Sequence, residues 1–75
     1  MEDRIKNVMA AVFGISPDEI TDDSSPHDIK GWDSVKHMNL VVALEEEFNI
    51  HFEDAEIPSL VNFKIIVATI EAYAE

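Results

Sequence analysis

The chain contains no cysteine, so no disulfide braces it and no thiolate of its own serves as nucleophile or metal ligand. That absence fits a reducing compartment. Positive charge is scarce too: five Lys and Arg stand against sixteen Asp and Glu, a formal net charge of -11. Nucleic acid and anionic membrane both demand a basic footprint, so neither is an expected partner. No apolar run approaches the length of a membrane span, and no charged-then-apolar leader follows Met1. The expected address is the cytosol, or an organelle after removal of a transit peptide.

Catalytic and metal signatures are equally thin. Ser24, Ser25, Ser34 and Ser59 with three histidines permit a triad on paper, but G-x-S-x-G is missing. So small a chain also has little volume for a water-excluding pocket, and the expectation is a protein that is not an enzyme. Asp22-x-Ser24 opens like a calcium loop, yet His27 stands where that loop requires glycine. H-E-x-x-H is absent, and no metal is expected.

Seventy-five residues make one expected domain, residues 1–75, which buries only about 60% of its unfolded surface. Ile5, Val8, Met9, Val12 and Phe13 recur at helical spacing, and Gly14 suits the C-terminal cap of that first helix. Ser16-Pro17-Asp18-Glu19 has the form of a capping box and predicts a single turn ending near Ile20. Thr21 to Gly31 reads as a loop that Ile29 and Trp32 pin onto the helices. A second helix runs from Ser34 to about Phe48. Asp54 is placed to cap a short third helix, Ala55 to Ile57, which Pro58 helps end. Asn62 is placed to cap a last helix with Val61 and Ile66 as a hydrophobic staple, and Phe63, Ile66, Val67, Ile70 and Tyr73 as its buried stripe. The fold class expected is all-α: a small four-helix bundle, three main helices and one short one, with a long loop between the first two.

The second helix carries two apolar faces where a surface helix needs one. Leu40, Val41, Leu44 and Phe48 fall in one arc about 100° wide, the core face. Val35, Met38 and Val42 fall in a separate arc flanked by Glu45 and Glu46, and an apolar patch rimmed by acids predicts a contact surface. No Lys or Arg lies between Lys36 and Lys64, while Glu45, Glu46, Glu47, Glu53, Asp54 and Glu56 all do, so basic partners would be steered there. His37 sits in the first turn of this helix on its core side; the positive helix end there opposes protonation, and a neutral, partly packed ring is expected.

Ser34 opens that helix. Its simplest role is that of a cap, but Asp33 is already placed to cap, which leaves the Ser34 hydroxyl free at the first helical position. A phosphate on that hydroxyl would meet unpaired backbone N–H groups and the positive end of the helix dipole. The site therefore tolerates a phosphodiester, and the argument is silent on which phosphate compound is attached.

Gly31-Trp32-Asp33-Ser34-Val35, followed by Leu40-Val41-Val42-Ala43-Leu44-Glu45-Glu46-Glu47-Phe48, resembles an acyl carrier protein. The resemblance extends over nearly the whole chain, including the Pro17-Asp18-Glu19 turn. It implies a 4′-phosphopantetheine arm on Ser34, beside Asp33, donated from coenzyme A by a magnesium-dependent phosphopantetheinyl transferase. The terminal thiol of that arm would hold an acyl group as a thioester, the only nucleophilic sulfur on a chain without cysteine. Asp33, Val35, Met38, Val42, Glu45 and Glu46 occupy positions that in this family face partner enzymes with basic docking patches. A monomer is expected. Trp32 stands where housekeeping fatty-acid carriers have a small residue, Lys36, His37 and Asn39 make the helix start less acidic than theirs, and Pro26 and Ile29-Lys30 depart from their loop. These departures point away from bulk fatty-acid synthesis and toward a specialised pathway, such as a polyketide, a cell-surface glycan or a modified amino acid. Two alternatives stand beside this reading: an aminoacyl carrier of related chemistry, and an acidic helical adaptor that is never modified.

Overall fold

The computed structural model describes residues 2–74. Among them there are three α-helices, two 3-10 turns and no strand: α1 (Glu2–Phe13), a turn at Pro17–Glu19, α2 (Ser34–Phe48), a turn at Ile57–Ser59, and α3 (Phe63–Ala74). Helix α1 begins on Glu2 and Asp3, whose charges suit the positive helix end, and buries Ile5, Met9 and Ala10. Gly14 ends it at φ +70°, a conformation that costs glycine nothing, and its N–H reaches the Ala10 carbonyl at 2.8 Å. The capping box at Ser16 forms in full: Ser16 Oγ accepts from the Asp18 N–H, and the Glu19 carboxylate accepts from the Ser16 N–H at 2.9 Å.

Helix α2 has the bounds its caps predict. Asp33 Oδ1 accepts from the Lys36 N–H at 2.9 Å, and Asn49 closes the far end at φ +55°. Asn is the side chain besides glycine that most readily takes this left-handed turn. Leu40, Val41 and Leu44 are buried with Ile66, Val67 and Ile70 of α3 and Ile5 and Met9 of α1 in one core. Across the outer edge of α1 and α2, the Arg4 guanidinium lies 3.0 Å from the Glu47 carboxylate, donates to the Glu47 carbonyl, and stacks over the Phe48 ring.

The long loop is ordered because its backbone caps α3. The Ser24 and Asp22 carbonyls accept from the Phe63 and Lys64 N–H groups at 3.1 and 3.3 Å, while Asn62 Oδ1 takes the Ile65 N–H at 2.8 Å. These are the orphan donors of a helix start. Ser24 itself is buried, its Oγ accepting from the Thr21 N–H at 2.8 Å. Ile29 and Trp32 are buried below the loop, as expected of them. Ser24→Ala strips that N–H of its partner and is expected to cost about 1–2 kcal/mol. A thermal melt should show the midpoint lower by roughly 4–8 °C per kcal/mol for a chain of this length.

Two expectations are corrected here. The short helix expected at Ala55–Ile57 is displaced and forms as a single 3-10 turn at Ile57–Ser59. The Glu53 carbonyl accepts from the Glu56 N–H at 2.9 Å and closes a separate turn, and the 3-10 turn that follows contains Pro58 instead of ending before it. Proline lacks an N–H and has its φ preset, which suits the opening of a helical turn as well as its termination. Asp54 therefore caps nothing and is exposed. The staple is likewise replaced: Val61 remains 44% exposed, and Leu60, one residue earlier, turns into the core.

Tyr73 ties the end of α3 to the Glu53–Glu56 turn. Its hydroxyl donates to the Glu56 carboxylate, which also accepts from the Glu53 N–H, and its ring meets Phe52 edge-on at 5.7 Å. The Tyr73 hydrogen bond, then the Glu53 N–H, hold the Glu56 carboxyl below its ordinary range, and the same carboxylate pushes the Tyr73 phenol up. A depressed carboxyl contributes stability that is present above its unfolded pKa and is lost as pH falls through the folded one. The raised phenol contributes below its unfolded pKa and is lost as pH rises through the folded one. Comparing Tyr73→Phe with the parent by thermal melts should therefore show a difference that is widest near neutrality. It should narrow below the carboxylate range and again in strong alkali.

Candidate functional site

Ser34 occupies the first position of α2 and is exposed. Asp33 performs the capping, with one carboxylate oxygen on the Lys36 N–H and its carbonyl on the His37 N–H at 2.8 Å. Among the described residues no hydrogen bond engages the Ser34 hydroxyl, and the N–H groups of Ser34 and Val35 point out of the helix start without a partner. A nucleophilic oxygen, two free donors and the positive helix end thus meet at one exposed point.

Beside Ser34 runs an open groove of about 460 Å³. Trp32, Ser34, His37 and Met38 line it from the start of α2, and Ile57, Pro58 and Val61 from the second 3-10 turn. Its wall is built on Trp32. The indole packs against Phe13 of α1, ring centroids 5.0 Å apart, and stacks near the His37 ring at 6.1 Å. The Trp32 Nε1–H donates to His37 Nδ1 at 3.0 Å, and His37 Nε2 lies 2.8 Å from the Ile57 carbonyl oxygen. An indole nitrogen only donates and a carbonyl only accepts, so both bonds require the neutral Nε2–H imidazole. His37 spans from the loop to the turn.

The second apolar arc faces solvent: Val35 is 70% exposed, Met38 48% and Val42 50%. Val61 extends the apolar surface across the groove from Met38. The acids around it differ in their freedom. Glu46 is exposed and unpartnered among the described residues, whereas the Glu45 carboxylate is half-buried, accepts from the Phe52 N–H at 2.9 Å and lies 3.4 Å from His51 Nδ1. Glu45 thus holds the chain after α2 in place. Sequence reasoning missed this tie, as it missed the groove wall.

The chain matches the family described as phosphopantetheine attachment site over residues 3–64, from α1 to the start of α3. It belongs to that family. This carrier domain is thus an attachment site for covalent 4′-phosphopantetheine, and it works with partner enzymes that act on what the arm holds. The residues present fit the group: a phosphodiester at the opening of α2 would find the two free N–H groups and the helix dipole, with the capping carboxylate engaged by the Lys36 N–H. No helix among the described residues is long and apolar enough to cross a membrane.

Proposed function

We propose that Ser34 is the residue that takes the arm, and that the chain, as a monomeric, single-domain carrier with a four-helix-bundle fold in the cytoplasm, presents acyl thioesters to the enzymes of a specialised biosynthetic pathway. The observation that carries this is the exposed, unbonded Ser34 hydroxyl beside a cap that Asp33 supplies alone. In the loading step, Ser34 Oγ attacks the coenzyme A phosphorus next to the pantetheine. The P–O bond to the adenosine bisphosphate half breaks, and the hydroxyl proton passes to a base of the transferase. The arm supplies a thiol that holds an acyl group as a thioester. The chain's own residues do the rest: the α2 start accommodates the phosphate charge, and Val35, Met38 and Val42 with Asp33 and Glu46 offer partners an apolar patch with acidic edges. Such a patch suits an enzyme surface with an apolar centre and a basic rim. Glu45 contributes to that surface chiefly by fixing its position. Trp32 and His37, built into the wall beside Ser34, support a dedicated carrier over one for bulk fatty-acid synthesis.

Intact mass after incubation with coenzyme A, magnesium and a broad-specificity phosphopantetheinyl transferase tests the reading. The expected gain is one arm, and fragmentation should map it to Ser34 and not to Ser16, Ser24, Ser25 or Ser59. A folded chain that gains nothing while a known carrier loads in the same assay would overturn it.

A further inference from the structure

His37 lies beside Ser34 but makes no contact that attachment of the arm requires. Each of its ring nitrogens is committed to a different part of the chain: Nδ1 to the indole of Trp32 in the loop, and Nε2–H to the carbonyl of Ile57, twenty residues along. The imidazole is thus the polar bridge between the two sides of the groove, and it serves only in one protonation state and one tautomer. We propose that His37 is a positioning residue: as the neutral Nε2–H imidazole it latches Trp32 to the Ile57–Ser59 turn, sets the wall of the groove beside Ser34, and lets go of the indole when a proton is added at Nδ1.

Release follows from donor counting. A proton added at Nδ1 would place two N–H donors against each other across the Trp32–His37 contact. The bond to Ile57 survives protonation, because Nε2 donates in both states. The indole, not the turn, is what comes free, and its other packing partner, Phe13, is a ring without charge. Asp33, the cap of α2, shares the groove with the latch, and the charged residues nearest to the latch along the chain are Lys36 on α2, Asp28 and Lys30 on the loop before Trp32, and Glu56 beside Ile57. Of these, the Asp33 carboxylate is turned to the Lys36 N–H and the Glu56 carboxylate to Tyr73 and the Glu53 N–H, so no carboxylate of this set hydrogen-bonds the ring in place of the indole. The consequence for loading rests on the reading of Ser34 as the attachment point; the latch itself does not.

Trp32 is the only tryptophan of the chain, so a nitrogen-15 spectrum of the unmodified protein carries one indole N–H resonance. At neutral pH the His37 ring nitrogens should report the Nε2–H tautomer, and as added acid protonates His37 the indole and His37 signals should move together, with the Leu44 and Ile66 methyls unmoved. Trp32→Phe retains an aromatic ring and removes the donor, so at about pH 7.5 the His37 tautomer preference should relax toward a mixture. In the loading assay, His37→Phe should slow transfer to Ser34 several-fold through KM, with kcat little changed. An indole resonance that stays in place while His37 protonates would overturn the latch. So would an Nδ1–H tautomer, or a tautomer ratio untouched by Trp32→Phe; this last comparison decides the matter at neutral pH even where acid unfolds the chain. Unchanged loading by His37→Phe would overturn its role at Ser34. A parent chain that does not load at all would instead count against Ser34 as the attachment point, leaving the spectra to judge the latch.

Discussion

Ser34→Ala is expected to abolish loading while leaving the fold intact. The incubation that adds one arm to the parent chain should add none to the variant, and any pathway that depends on the carrier should lose its product entirely. The effect is all or none because the oxygen itself forms the new bond to phosphorus. The stability side is separable, and this makes the comparison clean. The Ser34 side chain is exposed and, among the described residues, without a hydrogen bond, and the N-cap is Asp33, so removing the hydroxyl should change stability by no more than about 0.5 kcal/mol. Alanine is also the better helix former at that position. Asp33→Ala provides the contrast: it removes the cap at a cost of about 0.5–2 kcal/mol but leaves the nucleophile in place. If the Ser34→Ala variant served its pathway as well as the parent does, the chain would be an adaptor that is never modified. Circular dichroism on the same sample would exclude unfolding as the cause of lost loading.

Local signals made most of the helical frame legible. The α1 stripe, the Ser16 box, the Asp33 and Asn62 caps and the bounds of α2 all rest on residues within one turn of each other, and each forms as the sequence implies. What escaped were contacts between residues far apart in the chain. Ile20, Phe52 and Leu60 are core residues, at most 2% exposed, yet each lies in an irregular stretch with no period to reveal it. Ser24 looked like loop composition and is a buried hub, because its carbonyl meets Phe63 thirty-nine positions later. Pro58 was read as a terminator, since nothing in the sequence says which side of a proline the turn will occupy.

The candidate site divides the same way. The Asp33-Ser34 opening of α2 and the outward arc of Val35, Met38 and Val42 follow from cap logic and helix period alone. The acids could be counted but not sorted. Glu45, Glu47 and Glu56 have internal partners in Phe52, Arg4 and Tyr73, so fewer of the counted carboxylates are free to meet a partner than the composition implies. The place of His37 on the core side of the first turn was legible from the helix period, but its two bonds were not, because one of them reaches twenty residues ahead.

The largest effect on the fold is expected at Phe63. Its ring is fully buried at the first position of α3, its N–H is the one that the Ser24 carbonyl accepts, and Lys6 of α1 extends its ammonium to 5.5 Å from the ring centroid. Phe63→Ala removes the ring from the place where the long loop, α1 and α3 meet. Large-to-small changes of this kind cost about 3–5 kcal/mol. A core in a chain of this length and without disulfides rarely supplies more than about 3–5 kcal/mol in total. The two figures are equal within their spread, so the variant should be largely unfolded at room temperature, with little of the parent's helical signal and no cooperative urea transition. The cation above the ring contributes only about 0.5–1 kcal/mol, so Lys6→Ala should leave a cooperative transition in place. The functional consequence runs through the loop: without the α3 start to hold the Asp22 and Ser24 carbonyls, the segment that leads to Trp32 and Asp33 loses its anchor, and loading at Ser34 should fall with the fold. A Phe63→Ala chain with a parent-like urea midpoint would mean that the loop and α3 are joined by their backbone bonds alone.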